Sequence, residues 1–106
     1  MRVLASNKLV EINKDVEFEL NFGQVKKGSE LSEKIILEGD DLAHLAISKS
    51  CGCTMPSVQI LVNGVEITIA YDSNKVGTIN QWVNERYLED GVQKNIKINL
   101  KGTIEE

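Results

Sequence analysis

The fold is decided by the stretch Asn95-Ile96-Lys97-Ile98-Asn99-Leu100-Lys101, in which apolar and polar side chains alternate without exception. Successive side chains of a β-strand point to opposite faces, so Ile96, Ile98 and Leu100 share one face of an extended strand. A strand with one apolar and one polar face is typical of an antiparallel sheet that packs on a core by one side only. The stretch therefore predicts such a strand, and the rest of the chain repeats its pattern.

β-branched residues dominate the apolar side chains of the chain, with ten Val and eleven Ile. Branching at Cβ favours strands, and turn signals such as Asn63-Gly64, a favoured hairpin pair, separate most of the alternating stretches. We therefore expect an all-β protein in which residues 1–106 form a single immunoglobulin-like β-sandwich of about seven antiparallel strands. The predicted strands lie near residues 8–12, 16–22, 31–37, 43–49, 65–71, 78–87 and 95–103.

The same alternation predicts which side chains face the core. In the strand at residues 43–49, Leu45 and Ile47 fall on the inner face and His44 on the outer one. His44, the one histidine of the chain, is therefore expected to point to solvent. The inward-facing set predicted for the whole sandwich is Phe18, Leu20, Ile35, Leu45, Ile47, Ile67, Ile69, Val83, Ile96 and Ile98.

The charge balance argues against two classes of partner. Twelve basic and 16 acidic residues give a net charge of −4. A protein that binds nucleic acid presents a basic face, and so does a protein that binds anionic lipid. No apolar run approaches the roughly 20 residues of a membrane span, and the first residues lack the apolar stretch of a signal peptide. We therefore expect synthesis in the cytoplasm without a signal peptide, and a protein partner rather than nucleic acid or membrane insertion.

Both cysteines of the chain lie in Cys51-Gly52-Cys53-Thr54. Their spacing differs from that of thioredoxin-type redox motifs and zinc knuckles. Three states are compatible with it: reduced thiols that fill space, a disulfide across Gly52, and a soft-metal site in which Cys51, Cys53 and His44 hold copper or zinc. We favour the reduced pair, because a strained disulfide across one residue does not persist in a reducing compartment.

No catalytic motif is present in the sequence. A glycine-rich phosphate loop, a Gly-x-Ser-x-Gly elbow and a His-Glu-x-x-His pair are all absent. The acidic residues fall on polar strand faces and in turns, where solvation explains them. We therefore predict that the protein is not an enzyme, and we assign no catalytic residue and no cofactor.

The one tryptophan, Trp82, shares a strand face with Arg86 and lies opposite Val83 and Tyr87. Trp82 therefore lies outside the core, unless the strand is bulged or buried on both faces. Aromatic and Arg side chains are enriched at the energetic centres of protein interfaces. Trp82, Arg86 and Tyr87 are therefore candidate contact residues; the alternative is that Trp82 covers an edge of the sandwich.

Two motifs resemble the signatures of a bacterial family of immunoglobulin-like domains of unknown function. Residues 22–28 are similar to its F-G-x-V-x-x-G opening, residues 51–54 match its Cys-Gly-Cys-Thr, and the likeness covers roughly residues 16–103. It implies a sandwich related to ASH and major-sperm-protein domains, which serve binding and scaffolding, and no known enzyme activity. The positions that carry the two motifs, for which we expect structural roles, are Phe22, Gly23, Gly28, Cys51, Gly52, Cys53 and Thr54.

The chain departs from that family at two points. Family members often carry a secretion or lipoprotein signal, and many have Pro-Gly where this chain has Asn63-Gly64. An envelope location is therefore less expected than a cytoplasmic one.

These observations favour a non-enzymatic structural or protein-interaction module that works through its edge strands and loop tips. The small size suggests a bacteriophage virion protein, such as a capsid decoration module that docks on a repeated protein assembly. The alternative function is a thiol or soft-metal protein that acts through Cys51 and Cys53.

Overall fold

The computed structural model describes residues 1–14 and 16–106. The regular secondary structure in that part of the chain consists entirely of β-strands. The predicted all-β class is confirmed. The strands are β1 (Arg2–Ala5), β2 (Leu9–Asn13), β3 (Glu17–Lys26), β4 (Leu31–Glu38), β5 (Leu42–Lys49), β6 (Thr54–Leu61), β7 (Gly64–Tyr71), β8 (Gly77–Glu89) and β9 (Val92–Glu105).

The strands form two sheets that face each other as a sandwich. The four-stranded sheet has the order β1-β4-β7-β6, and the five-stranded sheet has the order β2-β3-β9-β8-β5. Neighbouring strands are antiparallel except for β3 and β9, which run parallel from the Glu17–Lys97 pair to the Lys26–Glu105 pair. The prediction of antiparallel pairing throughout is therefore wrong at the centre of the larger sheet, where the chain returns to β3 after visiting both sheets.

All seven predicted strands are present, and the described residues contain two more, β1 and β6. β1 has four residues, too few to show a period. β6 carries Pro56 in its first half, and proline is ordinarily a signal against a strand. At the edge of a sheet, however, a residue without an N–H costs no ladder hydrogen bond when it faces outward. The count of about seven strands is therefore corrected to nine.

The inner faces of the two sheets enclose one core cluster, and most of the predicted inward-facing side chains belong to it. Leu45 does not: 42% of its surface is exposed. The pairing of β5 with β8 shifts register between His44 and Ala46, so Leu45 sits in a bulge. Beyond the bulge Ile47 packs against the core as predicted. The core members that the prediction contained are Phe18, Leu20, Ile35, Ile67, Ile69, Val83, Ile96 and Ile98.

The hairpin between β6 and β7 turns one residue earlier than Asn63-Gly64 predicts. Val62 and Asn63 form the turn, and Gly64 is already the first residue of β7. Gly64 is buried, and a Cβ at this position would overlap the carbonyl oxygen of Leu37 on β4. The glycine is therefore required by the close approach of two backbones, and not by the turn.

Candidate functional site

The residues of the F-G-x-V-x-x-G stretch shape one end of the sandwich. Phe22 belongs to the core. Gly23 has a φ of 75° and lies where the pairing of β3 with β9 shifts register, while Gly28 has a φ of 84° in the turn after β3. The Gly28 N–H donates to the carbonyl oxygen of Ser73 at 3.1 Å. Both glycines adopt the left-handed conformation that side chains disfavour.

The loop of residues 50–53 carries the chain from β5 in the five-stranded sheet to β6 in the four-stranded sheet. Its two half-buried cysteines, Cys51 and Cys53, are joined as a disulfide, because the bend of the loop leaves their Cα atoms 5.2 Å apart. The favoured prediction of a reduced pair is therefore wrong. Gly52 is exposed and does not have a positive φ. A Cβ added at this position would have no atom within 4 Å outside the two neighbouring residues. The bend in this loop therefore needs no glycine.

Backbone hydrogen bonds hold this loop against both sheets. Ser50 makes two hydrogen bonds to the backbone of Trp82 in β8: its N–H donates to the Trp82 carbonyl at 3.1 Å, and its side-chain Oγ accepts the Trp82 N–H at 2.9 Å. On the other side, the N–H of Asp72 donates to the carbonyl of Cys53 at 2.9 Å. The disulfide is thus fixed between the end of β7 and the middle of β8.

Each sulfur atom of the disulfide has a hydrogen-bond donor beside it. The backbone N–H of Cys53 donates to Cys51 Sγ at 3.1 Å, and the hydroxyl of Tyr71 lies 3.4 Å from Cys53 Sγ, where it can donate. The Tyr71 ring also packs against Phe22, with 6.3 Å between ring centroids. Burial, together with the charge of Asp72, raises the pKa of Tyr71, so the hydroxyl keeps its proton at neutral pH.

A cleft of about 450 Å³ opens next to the disulfide. Cys51, Cys53 and Tyr71 form one wall of this disulfide cleft, and the start of β8 forms another. Its other lining residues are Asp72, Lys75, Val76, Gly77, Thr78, Ile79, Gln81 and Ile104. The cleft therefore combines two sulfur atoms, a phenol and charged side chains of both signs.

Thr54, the last residue of the Cys-Gly-Cys-Thr motif, begins β6 and is fully buried. Its N–H donates to the Cys51 carbonyl at 3.2 Å, and its own carbonyl accepts a hydrogen bond from Lys49 Nζ at 2.9 Å. Its Oγ1 is buried without a hydrogen-bond partner. The backbone of Thr54 thus closes the loop, whereas its hydroxyl contributes no hydrogen bond.

His44 does not point to solvent as predicted. Because the β5 bulge follows it, His44 lies on the inner face, where its Nδ1 is 2.7 Å from Oε2 of the fully buried Glu85. The interpretation of the acidic residues as solvated is therefore wrong for Glu85. Within residues 1–14 and 16–106, no cluster of three His, Cys, Asp or Glu side chains could hold a metal. Cys51, Cys53 and His44 are thus not assembled as a metal site.

The candidate contact residues of β8 divide between its two faces. Trp82 and Arg86 are exposed on the outer face, and Trp82 borders a shallow depression with Lys97. Tyr87 is buried in the core and is removed from the set of contact candidates. Parity along the strand separates the two groups, as the sequence predicts for Trp82.

Each sheet has two edge strands, and the four edges differ in how open they are to another strand. β1 has four residues, while β2 and β5 each contain a register shift. β6 pairs with β7 through all eight of its residues without a shift, and no described strand pairs with its other side. Met55 and Ile60 of β6 are 51% and 65% exposed. β6 is therefore the long, regular and apolar edge among the described strands.

Comparison with known proteins shows the fold and goes no further. A similar solved structure is the ASH / PapD-like domain of human CEP192 (PapD-like domain 7), with a TM-score of 0.55 and 15% sequence identity over 98% of this chain and 85% of that one. No family model matches the chain, and no curated protein matches it. The predicted ASH-like fold relationship is thus confirmed, and the resemblance to the bacterial family stays a prediction.

The described residues include no helix able to cross a membrane.

Proposed function

We propose that this protein is a non-enzymatic interaction module that binds an extended segment of a protein partner as an additional strand beside β6. The observation that carries the proposal is the state of β6: eight residues in regular register, with one side of the strand unpaired. Strand addition at a free sheet edge is a common mode of peptide recognition, because the backbone groups of the edge strand supply the hydrogen bonds.

The other three edges have features that disfavour strand addition. Short length and bulges are the devices by which proteins blunt a free edge, and β1, β2 and β5 each show one of them. β6 has only Pro56, which lies in its first half. The second half of β6, from Val58 to Leu61, is therefore the part that we expect the partner segment to pair with.

The side chains of β6 suggest the chemistry of the partner. Ile60 shares its strand face with the half-buried Val58, and yet 65% of its surface is exposed. No charged side chain occurs in β6. We therefore expect a partner strand with apolar side chains where it passes Ile60, because burial of apolar surface and a continuous hydrogen-bond ladder then act together.

A narrower form of the proposal takes the partner to be the repeated subunit of an assembly such as a phage capsid. Its support is the same unpaired edge of β6, which could pair with one strand in each copy of a repeated subunit. A location in the cytoplasm or the virion follows from the same proposal.

The test is affinity capture from the native source with three forms of the tagged chain: wild type, Ile60→Lys and Ile12→Lys. Ile12 lies on edge strand β2 and is 55% exposed, so Ile12→Lys makes the same chemical change at a matched exposure on another edge. We expect wild type and Ile12→Lys to capture the same protein, and Ile60→Lys to lose it while keeping its circular dichroism spectrum. Identification of the captured protein by mass spectrometry also tests the capsid form.

Two results would contradict the proposal. Capture by Ile60→Lys at the wild-type level would exclude β6 as the binding edge, and loss of capture by Ile12→Lys alone would place the interface on β2. A catalytic turnover assigned to the purified chain would contradict its non-enzymatic part.

A further inference from the structure

We propose that the Cys51–Cys53 disulfide is a site of reversible exchange with a small thiol compound, in which Cys51 receives the incoming sulfur and Cys53 leaves as a thiolate. This inference concerns the disulfide cleft and does not depend on the β6 interface. It starts from three observations: both sulfurs line an open cleft, both cysteines are only half-buried, and each sulfur lies beside a donor.

The exchange conserves atoms and electrons in two steps. In the first step, the thiolate of the small thiol attacks Cys51 Sγ; a new sulfur–sulfur bond forms, the Cys51–Cys53 bond breaks, and its electron pair stays on Cys53 Sγ. In the second step, another small thiolate attacks the sulfur of the bound thiol compound, and Cys51 leaves as a thiolate. The protein gains two electrons, two small thiols become one disulfide, and their two protons pass to Cys51 and Cys53.

Tyr71 favours Cys53 as the sulfur that leaves, because its phenolic O–H is more acidic, and so a stronger donor, than the backbone N–H that faces Cys51 Sγ. Its hydroxyl is 3.4 Å from Cys53 Sγ, and a hydrogen bond to a thiolate is stronger than one to a neutral disulfide sulfur. The raised pKa of Tyr71 keeps its hydroxyl protonated, so it stays a donor while the negative charge develops. A better-stabilised thiolate is the better leaving group, which makes Cys51 Sγ the atom attacked.

The cleft suits a small thiol that carries charges of both signs. Its volume of about 450 Å³ accepts a tripeptide-sized molecule, and its walls contain Asp72, Lys75 and the amide of Gln81. An ammonium group and a carboxylate on the same thiol compound would each meet an opposite charge. Glutathione has this chemistry and is the probe used in the test.

The experiment places the folded, oxidised full chain in buffers with a graded ratio of reduced to oxidised glutathione. Acid quenching, alkylation and mass spectrometry then give the fraction of each redox state. We expect the disulfide to open and close with the ratio while the circular dichroism spectrum stays that of the folded chain, and we expect the trapped glutathione on Cys51. An unchanged disulfide at every ratio, or glutathione trapped on Cys53, would overturn the proposal.

The role of Tyr71 is tested with Tyr71→Phe, and Tyr87→Phe is the matched control because Tyr87 is buried in the core and does not line the cleft. We expect reduction to slow roughly tenfold in Tyr71→Phe only, since one hydrogen bond to a charged group is lost. In a Cys51→Ser background, the pH midpoint of Cys53 thiolate absorbance should rise on Tyr71→Phe, a change that a merely structural tyrosine would not cause. Equal rates and equal midpoints in the two tyrosine variants would contradict the assignment.

Discussion

His44 Nδ1 lies 2.7 Å from Oε2 of Glu85, and the side chain of Glu85 has no exposed surface. β5 supplies the histidine and β8 the carboxyl group, so the contact joins two neighbouring strands inside the sandwich. Burial raises the pKa of the Glu85 carboxyl, while the hydrogen bond and charge of His44 act in the opposite direction. Glu85 therefore holds its proton to a higher pH in the folded chain than in the unfolded one.

This raised pKa gives the stability a definite pH dependence. The contribution of Glu85 is complete below its ordinary pKa of 4.5 and is lost as the pH rises through the folded pKa. Glu85→Gln has no charge to bury and keeps an acceptor for His44. We expect the free energy of unfolding of Glu85→Gln, relative to wild type, to rise from pH 4.5 upward in urea titrations at several pH values.

Glu89 offers a control of opposite sign. The hydrogen bond from Lys94, with that of the Met1 ammonium group, lowers the pKa of Glu89. Its contribution is present above pH 4.5 and is lost as the pH falls, so Glu89→Gln should lose stability relative to wild type at neutral pH only. The same pH response in both Gln variants would show that the buried pair is not the cause.

The bulge in β5 predicts different responses at two positions to which the alternation pattern assigns the same role. Leu45 is 42% exposed, whereas Ile98 is buried at the centre of the five-stranded sheet. Ile98→Ala should lower the free energy of unfolding by about 2–5 kcal/mol, because it opens a cavity in the core. Leu45→Ala opens no cavity and should lower it by less than about 1 kcal/mol. Chemical denaturation of both variants measures the difference. Equal losses would mean that Leu45 faces the core.

The two glycines nearest the β6 ends should differ sharply in tolerance. A Cβ on Gly64 would overlap the carbonyl oxygen of Leu37, so Gly64→Ala should destabilise the chain by roughly 1–3 kcal/mol or prevent folding. Gly52 has open space around it, and Gly52→Ala should stay within about 0.5 kcal/mol of wild type. Thermal unfolding of the pair checks the prediction, and a destabilised Gly52→Ala would show that the loop bends through a conformation special to glycine.

Thr54→Val should stabilise the protein by up to about 1 kcal/mol, because the substitution removes a buried hydroxyl that has no partner. Ser50→Ala is the comparison, since the Ser50 hydroxyl accepts the Trp82 N–H at 2.9 Å and donates to Gln81 Oε1 at 2.6 Å. Ser50→Ala should lower the free energy of unfolding by about 1 kcal/mol. Urea midpoints decide the matter, and a destabilised Thr54→Val would indicate a partner for Oγ1.

Alternation predicts the fold well where strands are regular, and it fails where they are not. Seven strands and most of the core follow from period-two patterns, because burial on one face imposes that period. The pattern cannot register the bulge at Leu45, which puts His44 on the same inner face as Ile47 although the two residues are three positions apart. It also misses β6, where Pro56 interrupts the signal and an edge position makes it acceptable.

The candidate sites were less accessible to prediction than the fold. The cysteine pair is evident from its local spacing, but Tyr71 lies 18 residues beyond Cys53 and meets it only through tertiary structure. Glu85 shares its parity with the buried Val83 and Tyr87, and that signal could have placed it inside. Its partner is 41 residues away, and only the folded chain shows that His44 accompanies it.

The parallel pairing of β3 with β9 has a consequence for how the chain reaches its native state. Glu17 pairs with Lys97, so 80 residues separate partners at the centre of the larger sheet. Closing so long a loop costs entropy before the contacts repay it, and β-sandwiches rich in such contacts fold in roughly milliseconds to seconds. β9 is the ninth strand in chain order and lies between β3 and β8. During synthesis β3 therefore cannot complete its pairing until residues 97–105 have emerged.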